Sequence, residues 1–236
     1  MKEHTKKIRL NNIIIICSEK NIFAIKRPLK EILILSPNFL LEQKLINSGN
    51  KIIAGTDEVG RGSWAGPVTA AAVILNPKNI PDELDDSKKL PKSKREKLSK
   101  KIMSCALKYS IIHIGVQEID TLNILHASML AMHKAVNALE IHLNHVLVDG
   151  NKIPKQLKYP ATAIVKGDSL SVSIAAASII AKVARDQLMV DLAQHYPQYG
   201  WKTNVGYGTK LHIAGLSKYG ITPHHRVSFK PIHNML

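Results

Sequence analysis

Apolar residues recur along this chain with two different periods, and the changes of period mark out its elements. In the first 36 residues, IIIIC (13–17) and EILIL (31–35) read as short strands on either side of KRPLK, a turn signal. From Asn38 the helical period takes over: FLLEQKLINSG carries Leu41 and Leu45 on one face and stops at Gly49. KIIAGTD (51–57) and VTAAAVIL (68–75) are strand-like runs joined by the glycine-rich EVGRGSWAGP. A proline- and charge-dense loop follows. Ser93 with Glu96 three residues later then predicts a capped helix through about Lys108.

YSIIHIGV (109–116) reads as a third strand. Leu122, Leu125, Met129, Met132, Val136 and Leu139, spaced by threes and fours, predict one amphipathic helix. HVLVDG predicts a strand ending at Asp149, and ATAIVKGD another ending at Asp168. The alanine-rich stretch from Ser171 to Tyr196 predicts a long helix packed closely on the sheet. The order is strand, strand, helix, strand, helix, strand, strand, helix. It implies a mixed α/β sheet whose early strands meander and whose later ones run parallel.

Composition narrows the class. The chain has 236 residues, 45% hydrophobic and 22% charged, enough for one substantial core with appendages. Its 33 Lys and Arg against 18 Asp and Glu give a formal charge of +15, which favours a polyanionic partner. Charge alone leaves nucleic acid, ribosome, anionic membrane and a merely basic proteome open, with nucleic acid favoured. No acid follows Asp191, while Lys202, Lys210, Lys218, Arg226 and Lys230 remain, so the C-terminal part is expected to touch something anionic. Cys17 and Cys105 are too few for a disulfide scaffold or a four-cysteine zinc site. IIII at 13–16 is too short for a signal-peptide core, and no run approaches a membrane span of about 20 residues. The expectation is a soluble, cytoplasmic protein.

The candidate chemistry sits in acids that follow apolar runs: Asp57 with Glu58, Asp149 and Asp168. Parallel strands would bring such ends to one edge of a sheet, where α/β proteins place their sites. Clustered carboxylates repel one another unless a divalent cation joins them, and oxygen-only ligands point to Mg²⁺ or Mn²⁺. Taken singly, Asp149 and Asp168 read as turn residues. Adjacent strand residues face opposite ways, so Asp57 and Glu58 reach one ion only where the strand ends or bulges, and Gly60 and Gly62 make that departure plausible. Gly60-Arg61-Gly62 matches neither phosphate-binding fingerprint, yet its backbone can approach a sugar, with Arg61 near a phosphate or the acids. Tyr207 is placed to stack on a base or sugar or to wedge a loop, Lys88 and Lys89 to meet phosphate or solvent, and His224, His225 and Arg226 to contact phosphate. Tyr199 and Trp201 read as core or hinge packing, and Asp186 as the partner of a neighbouring base or a residue near the site that binds no metal.

Seven segments, in order, carry a family resemblance: DEVGRGSWAGPV (57–68), DSKKL (86–90), VDG (148–150), KGD (166–168), AAASIIAKVARD (175–186), VGYGT (205–209) and ITPHHRVSF (221–229). Through them the chain closely resembles bacterial ribonuclease HII from about Pro37 to its end. The resemblance implies an RNase H-like fold, a five-stranded mixed sheet flanked by helices with a helical C-terminal extension. It divides the chain into a basic N-terminal extension (1–36), a catalytic core (37–195) and a C-terminal substrate-binding extension (196–236). Asp57, Glu58, Asp149 and Asp168 match the four metal-binding carboxylates, for Mn²⁺ or Mg²⁺, with two ions in the catalytic complex. Gly60, Arg61 and Gly62 match a loop that senses the ribose 2′-hydroxyl, and Tyr207 a residue packed on the following deoxyribose.

The implied activity is hydrolysis of the RNA strand of RNA/DNA hybrids and incision 5′ of single ribonucleotides in duplex DNA, by a monomer. Val227 stands where relatives often carry a second arginine, and residues 1–36 lie outside the shared segments. The rival reading is a non-catalytic nucleic-acid-binding module with structural acids.

Overall fold

A computed structural model of the chain describes residues 6–10, 13–18, 21–25 and 36–236. The chain divides into two compact units, 1–36 and 37–236. In the first, β1 (Lys6–Leu10), β2 (Ile13–Ser18) and β3 (Asn21–Ile25) form an antiparallel sheet in that order. The predicted strand EILIL lies outside the described residues.

The second unit is built on β4 (Ile53–Val59), β5 (Val68–Ile74), β6 (Lys108–Ile114), β7 (His145–Asp149) and β8 (Ala161–Ile164), in sheet order β6-β5-β4-β7-β8. β5 runs antiparallel to both neighbours, while β4, β7 and β8 are parallel. The interior strand β5 is buried at every position, as a strand covered on both faces must be. Helix α1 (Leu40–Asn47) precedes the sheet, and α2 (Lys92–Cys105) with the 24-residue α5 (Val172–His195) covers one face through Leu98, Ile102 and Ala175–Ala177. On the other face lies α4 (Ile124–Asn137), through Ala127, Ala131, Met132 and Ala135. The alanines let both helices approach the strands closely.

Glu42 of α1 is buried and caps the start of α5 from outside, accepting from the Ser171 hydroxyl at 2.5 Å and the Ser173 N–H at 3.0 Å. A carboxylate there meets the positive end of the helix. Beyond α5, short α6 (Trp201–Asn204), α7 (Lys210–Tyr219) and α8 (Lys230–His233) close over Met189 and Ala193 around Tyr199, Trp201 and Ile232.

Three sequence expectations are corrected. The helix assigned to Ser93–Lys108 starts at Lys92 behind Pro91, with no side-chain cap, and ends at Cys105, because Lys108 already belongs to β6. The single amphipathic helix is two, α3 (Val116–Leu122) and α4. Asn123 at φ 65° breaks them and caps α4 by accepting from the Leu125 and His126 N–H groups. Asp168 does not end a strand: β8 stops at Ile164, and Asp168 sits in a 3₁₀ turn, Gly167–Ser169, entered through Lys166 at φ 56°.

Candidate active site

Asp57 and Glu58 lie inside β4, whose register with β5 runs unbroken to Val59–Thr69, so neither a strand end nor a bulge brings them together. Alternation points Asp57 to the α5 face with Gly55, and Glu58 to the other. The sheet itself opens there. Pairing of β4 with β7 ends at Thr56–Val148, and Gly150 turns the chain away at φ 95°, which leaves room for the longer Glu58 side chain to reach round the edge. Carboxylate oxygens of Asp57, Glu58 and Asp149 all lie within 4.8 Å of one another. The Gly167 N–H fixes Asp149 by donating to its Oδ1 at 2.7 Å.

Asp168 is not part of this close trio. It is buried beside it and faces the Lys88 ammonium at 4.0 Å.

The trio is electrostatically tense. Burial, then the Glu58 and Asp149 charges, push the Asp57 carboxyl well above the usual range, against the Ser178 hydroxyl. Burial raises Glu58 too, although Arg61 donates to its Oε1 at 3.1 Å, and burial with Asp86 and Asp149 raises Asp168. Glu58 Oε2 is buried with no hydrogen-bond partner among the described residues. An orphaned oxygen beside two further carboxylates is the donor set a hard divalent cation satisfies, so the residues fit such an ion.

Because these carboxyls hold their protons more tightly folded than unfolded, their contribution is fully present below the unfolded values of 3.8 to 4.5 and is lost as pH rises through the raised folded ones. Asp57→Asn removes the largest part of that loss. In EDTA its Tm should gain on that of the unmodified chain as pH climbs from about 4 to about 7. A Tm difference independent of pH would contradict the placement.

Over the carboxylates opens a cavity of about 360 Å³, lined also by Gly60, Arg61, Gly62, Ser87, Lys88, Ser178, Lys182 and Tyr207. The structure thus brings Gly60, Arg61, Gly62, Lys88 and Tyr207 to one cleft with the acids. Tyr207 is 39% exposed, its ring beside Gly62. Its carbonyl is held from beneath. The Thr222 N–H donates to His225 Nδ1, which places the His225 proton on Nε2. That proton is donated to His212 Nε2 at 3.0 Å, and His212 Nδ1–H donates to the Tyr207 carbonyl at 3.0 Å. Burial and the neighbouring His212 lower His225 to about 4, so the chain of bonds is neutral at physiological pH.

His225 and Arg226 are corrected as phosphate contacts. They are 1% and 0% exposed, His225 within the aromatic group of Tyr199 and Trp201, and Arg226 against backbone carbonyls. Three cavity residues escaped the sequence reading. Lys182 is gripped by Asp186 at 2.8 Å, and Ser178 bonds Ser87 at 2.9 Å beside Asp57. For Ser178 and Lys182 the signal was their i, i+4 spacing, continued to Asp186, which puts them on one face of α5.

Known proteins resemble this chain in sequence and in fold. The profile of the family described as Ribonuclease HII matches residues 54–232. A ribonuclease HII of Cereibacter sphaeroides is 55% identical over 203 residues, covering 86% of this chain and 95% of the relative. Among solved structures, the ribonuclease H2 of Pyrococcus horikoshii OT3 superposes with a TM-score of 0.66 at 30% identity, over 78% of this chain and 97% of that one. The Bst ribonuclease HIII solved with Mn²⁺ shares the fold, with a TM-score of 0.67 at 17% identity, over 97% of this chain and 87% of that one. By the span of the profile and the identity of its relatives, the chain belongs to the ribonuclease HII family.

Proposed function

We propose that this ribonuclease cuts the RNA strand of RNA/DNA hybrids and incises duplex DNA on the 5′ side of a lone ribonucleotide, using two divalent ions, Mg²⁺ or Mn²⁺. The observation that carries this reading is the carboxylate trio at the floor of a cleft walled by Gly60–Gly62 and Tyr207. Asp57, Glu58, Asp149 and Asp168 would hold the ions. Bound there, the ions would supply Lewis-acid stabilisation of the phosphate and activation of the attacking water, for a hydrolysis that leaves 3′-hydroxyl and 5′-phosphate ends.

The chain's own residues position the strand. Lys88, 80% exposed at its side chain, reaches over Asp168 toward the cleft and can meet a backbone phosphate. Lys182, held by Asp186, presents a second ammonium at the cavity wall. Gly60 at φ +90° lies against Arg185, where an added Cβ would sit 2.1 Å from Nε, so only glycine fits the bend that carries the loop to the ribose. Tyr207 offers its exposed ring to a sugar.

Three end-labelled duplexes test the proposal: all DNA, one ribonucleotide, and a full RNA strand, each with Mg²⁺, Mn²⁺ or EDTA. Cleavage of the latter two only, and only with metal, is expected; cutting of the all-DNA duplex at a similar rate would refute it. Tyr207→Ala should lower incision at the single ribonucleotide about tenfold or more beyond any loss of binding, on the scale of one stacking contact. An unchanged preference for that substrate would remove Tyr207 from the recognition surface. Among the described residues no helix is long and apolar enough to cross a membrane.

A further inference from the structure

We propose that Arg226 is a positioning residue for ribonucleotide selection: its buried guanidinium ties down the carbonyls of Gly60 and Arg61, so that the next two N–H groups face the cleft. The inference rests on the reading of this cleft as the ribose-sensing site. Arg226 is 0% exposed. Its Nη2 donates to the Gly60 carbonyl at 2.7 Å, Nη1 to the Arg61 carbonyl at 3.1 Å and Nε to the Gly66 carbonyl at 3.0 Å. Its own N–H donates to the Trp64 carbonyl at 2.8 Å, and the guanidinium lies 5.0 Å over the Phe229 ring.

Every directional bond of this side chain therefore ends on one loop. A rigid fork can hold several carbonyls at fixed mutual angles, which a single ammonium cannot.

The consequence follows from peptide geometry. In a trans peptide the C=O of one residue and the N–H of the next point in opposite directions. With the Gly60 and Arg61 carbonyls turned inward to Arg226, the Arg61 and Gly62 N–H groups point the other way. Gly60, Arg61 and Gly62 line the cavity, and neither N–H meets an acceptor among the described residues. Two successive amide donors directed outward can bind one oxygen of a sugar hydroxyl or phosphate. An arginine that sequence suggests as a phosphate contact thus acts on substrate through the loop it holds.

The test is Arg226→Lys, with a thermal melt, kcat/KM on the one-ribonucleotide duplex and affinity for the all-DNA duplex in EDTA. The lysine variant keeps charge and loses the fork. The expected result is a cooperative melt with kcat/KM on the one-ribonucleotide duplex reduced about a hundredfold, the cost of a misplacement near one ångström, and all-DNA affinity unchanged. Equal losses in the two measurements would mean a merely structural arginine and overturn the proposal.

Hydrogen exchange on the unmodified chain decides the matter if the variant does not fold. The Arg61 and Gly62 amides should exchange fast in the free protein and slow on adding one-ribonucleotide duplex in EDTA, but not on adding all-DNA duplex. Protection already in the free protein, or equal protection by both duplexes, would overturn it. If the unmodified chain cuts all-DNA duplex as fast as the ribonucleotide duplex, the reading of the cleft fails by itself, independently of Arg226.

Discussion

Asp57→Asn should abolish hydrolysis while leaving the fold and substrate binding in place. Asp57 is the member of the trio that feels the other three acids, and it sits 5% exposed between Ser178 and Asp149. Exchanging a carboxylate oxygen for an amide nitrogen replaces an ion ligand by a donor that repels the ion. Metal-ion catalysis contributes several kcal/mol of charge stabilisation, so its loss corresponds to a fall of about a thousandfold or more in rate. Hybrid affinity should change only a few-fold, since Lys88 and Lys182, proposed to meet phosphate, are untouched. The melt should be unchanged or higher, because a buried repulsion is removed. Single-turnover cleavage in Mn²⁺, with filter binding in EDTA, measures both. A variant that still cuts within tenfold of the parent would sink the proposal that Asp57 is an ion ligand.

Gly55→Ala should carry the largest cost in stability. A Cβ at Gly55 would lie 2.3 Å from the Ser173 carbonyl carbon and 2.5 Å from the Ile174 nitrogen, backbone atoms of the first turn of α5. Neither can swing aside as a side-chain tip would. Either α5 moves off β4 or the strand bends, at about 3 kcal/mol or more. For a unit of this size that is a Tm drop of about 6–12 °C. Activity should fall further than stability, since α5 carries Ser178 and Lys182 toward the residue two positions along β4. A melt within 2 °C of the parent, read by circular dichroism, would contradict the packing.

Much of this was legible in the chain. The apolar runs gave the five sheet strands in order and the long alanine-rich helix, most plainly at β4, β5 and β7, where burial on both faces leaves a continuous hydrophobic signature. Asp57, Glu58 and Asp149 stood out because carboxylates flanking buried runs need a physical reason. What escaped was three-dimensional. The meeting of Asp57 and Glu58 depends on where β7 stops pairing, a property of the neighbouring strand and not of the local sequence.

The break at Asn123 hid inside an intact apolar period, since the residue caps one helix while ending another. His225 and Arg226 looked like surface charges in a basic tail, and only packing shows them enclosed, with backbone carbonyls where anions were expected. The Val227 departure falls on a partly exposed residue whose N–H donates to Asp120, a backbone contact that an arginine there would make as well.

The capping of α5 by Glu42 bears on the order in which the protein can be made. Glu42 meets Ser171 across 129 residues of sequence, and β4 finds β7 only after about 90 residues more than its own length have been added. During synthesis α1 and β4 emerge long before the helix and strand that complete them. No early fragment of the second unit can bury its carboxylates or satisfy its helix start. The nuclease core therefore closes late, when α5 has left the ribosome, and until then the apolar β4 and β5 depend on remaining an unaggregated hairpin.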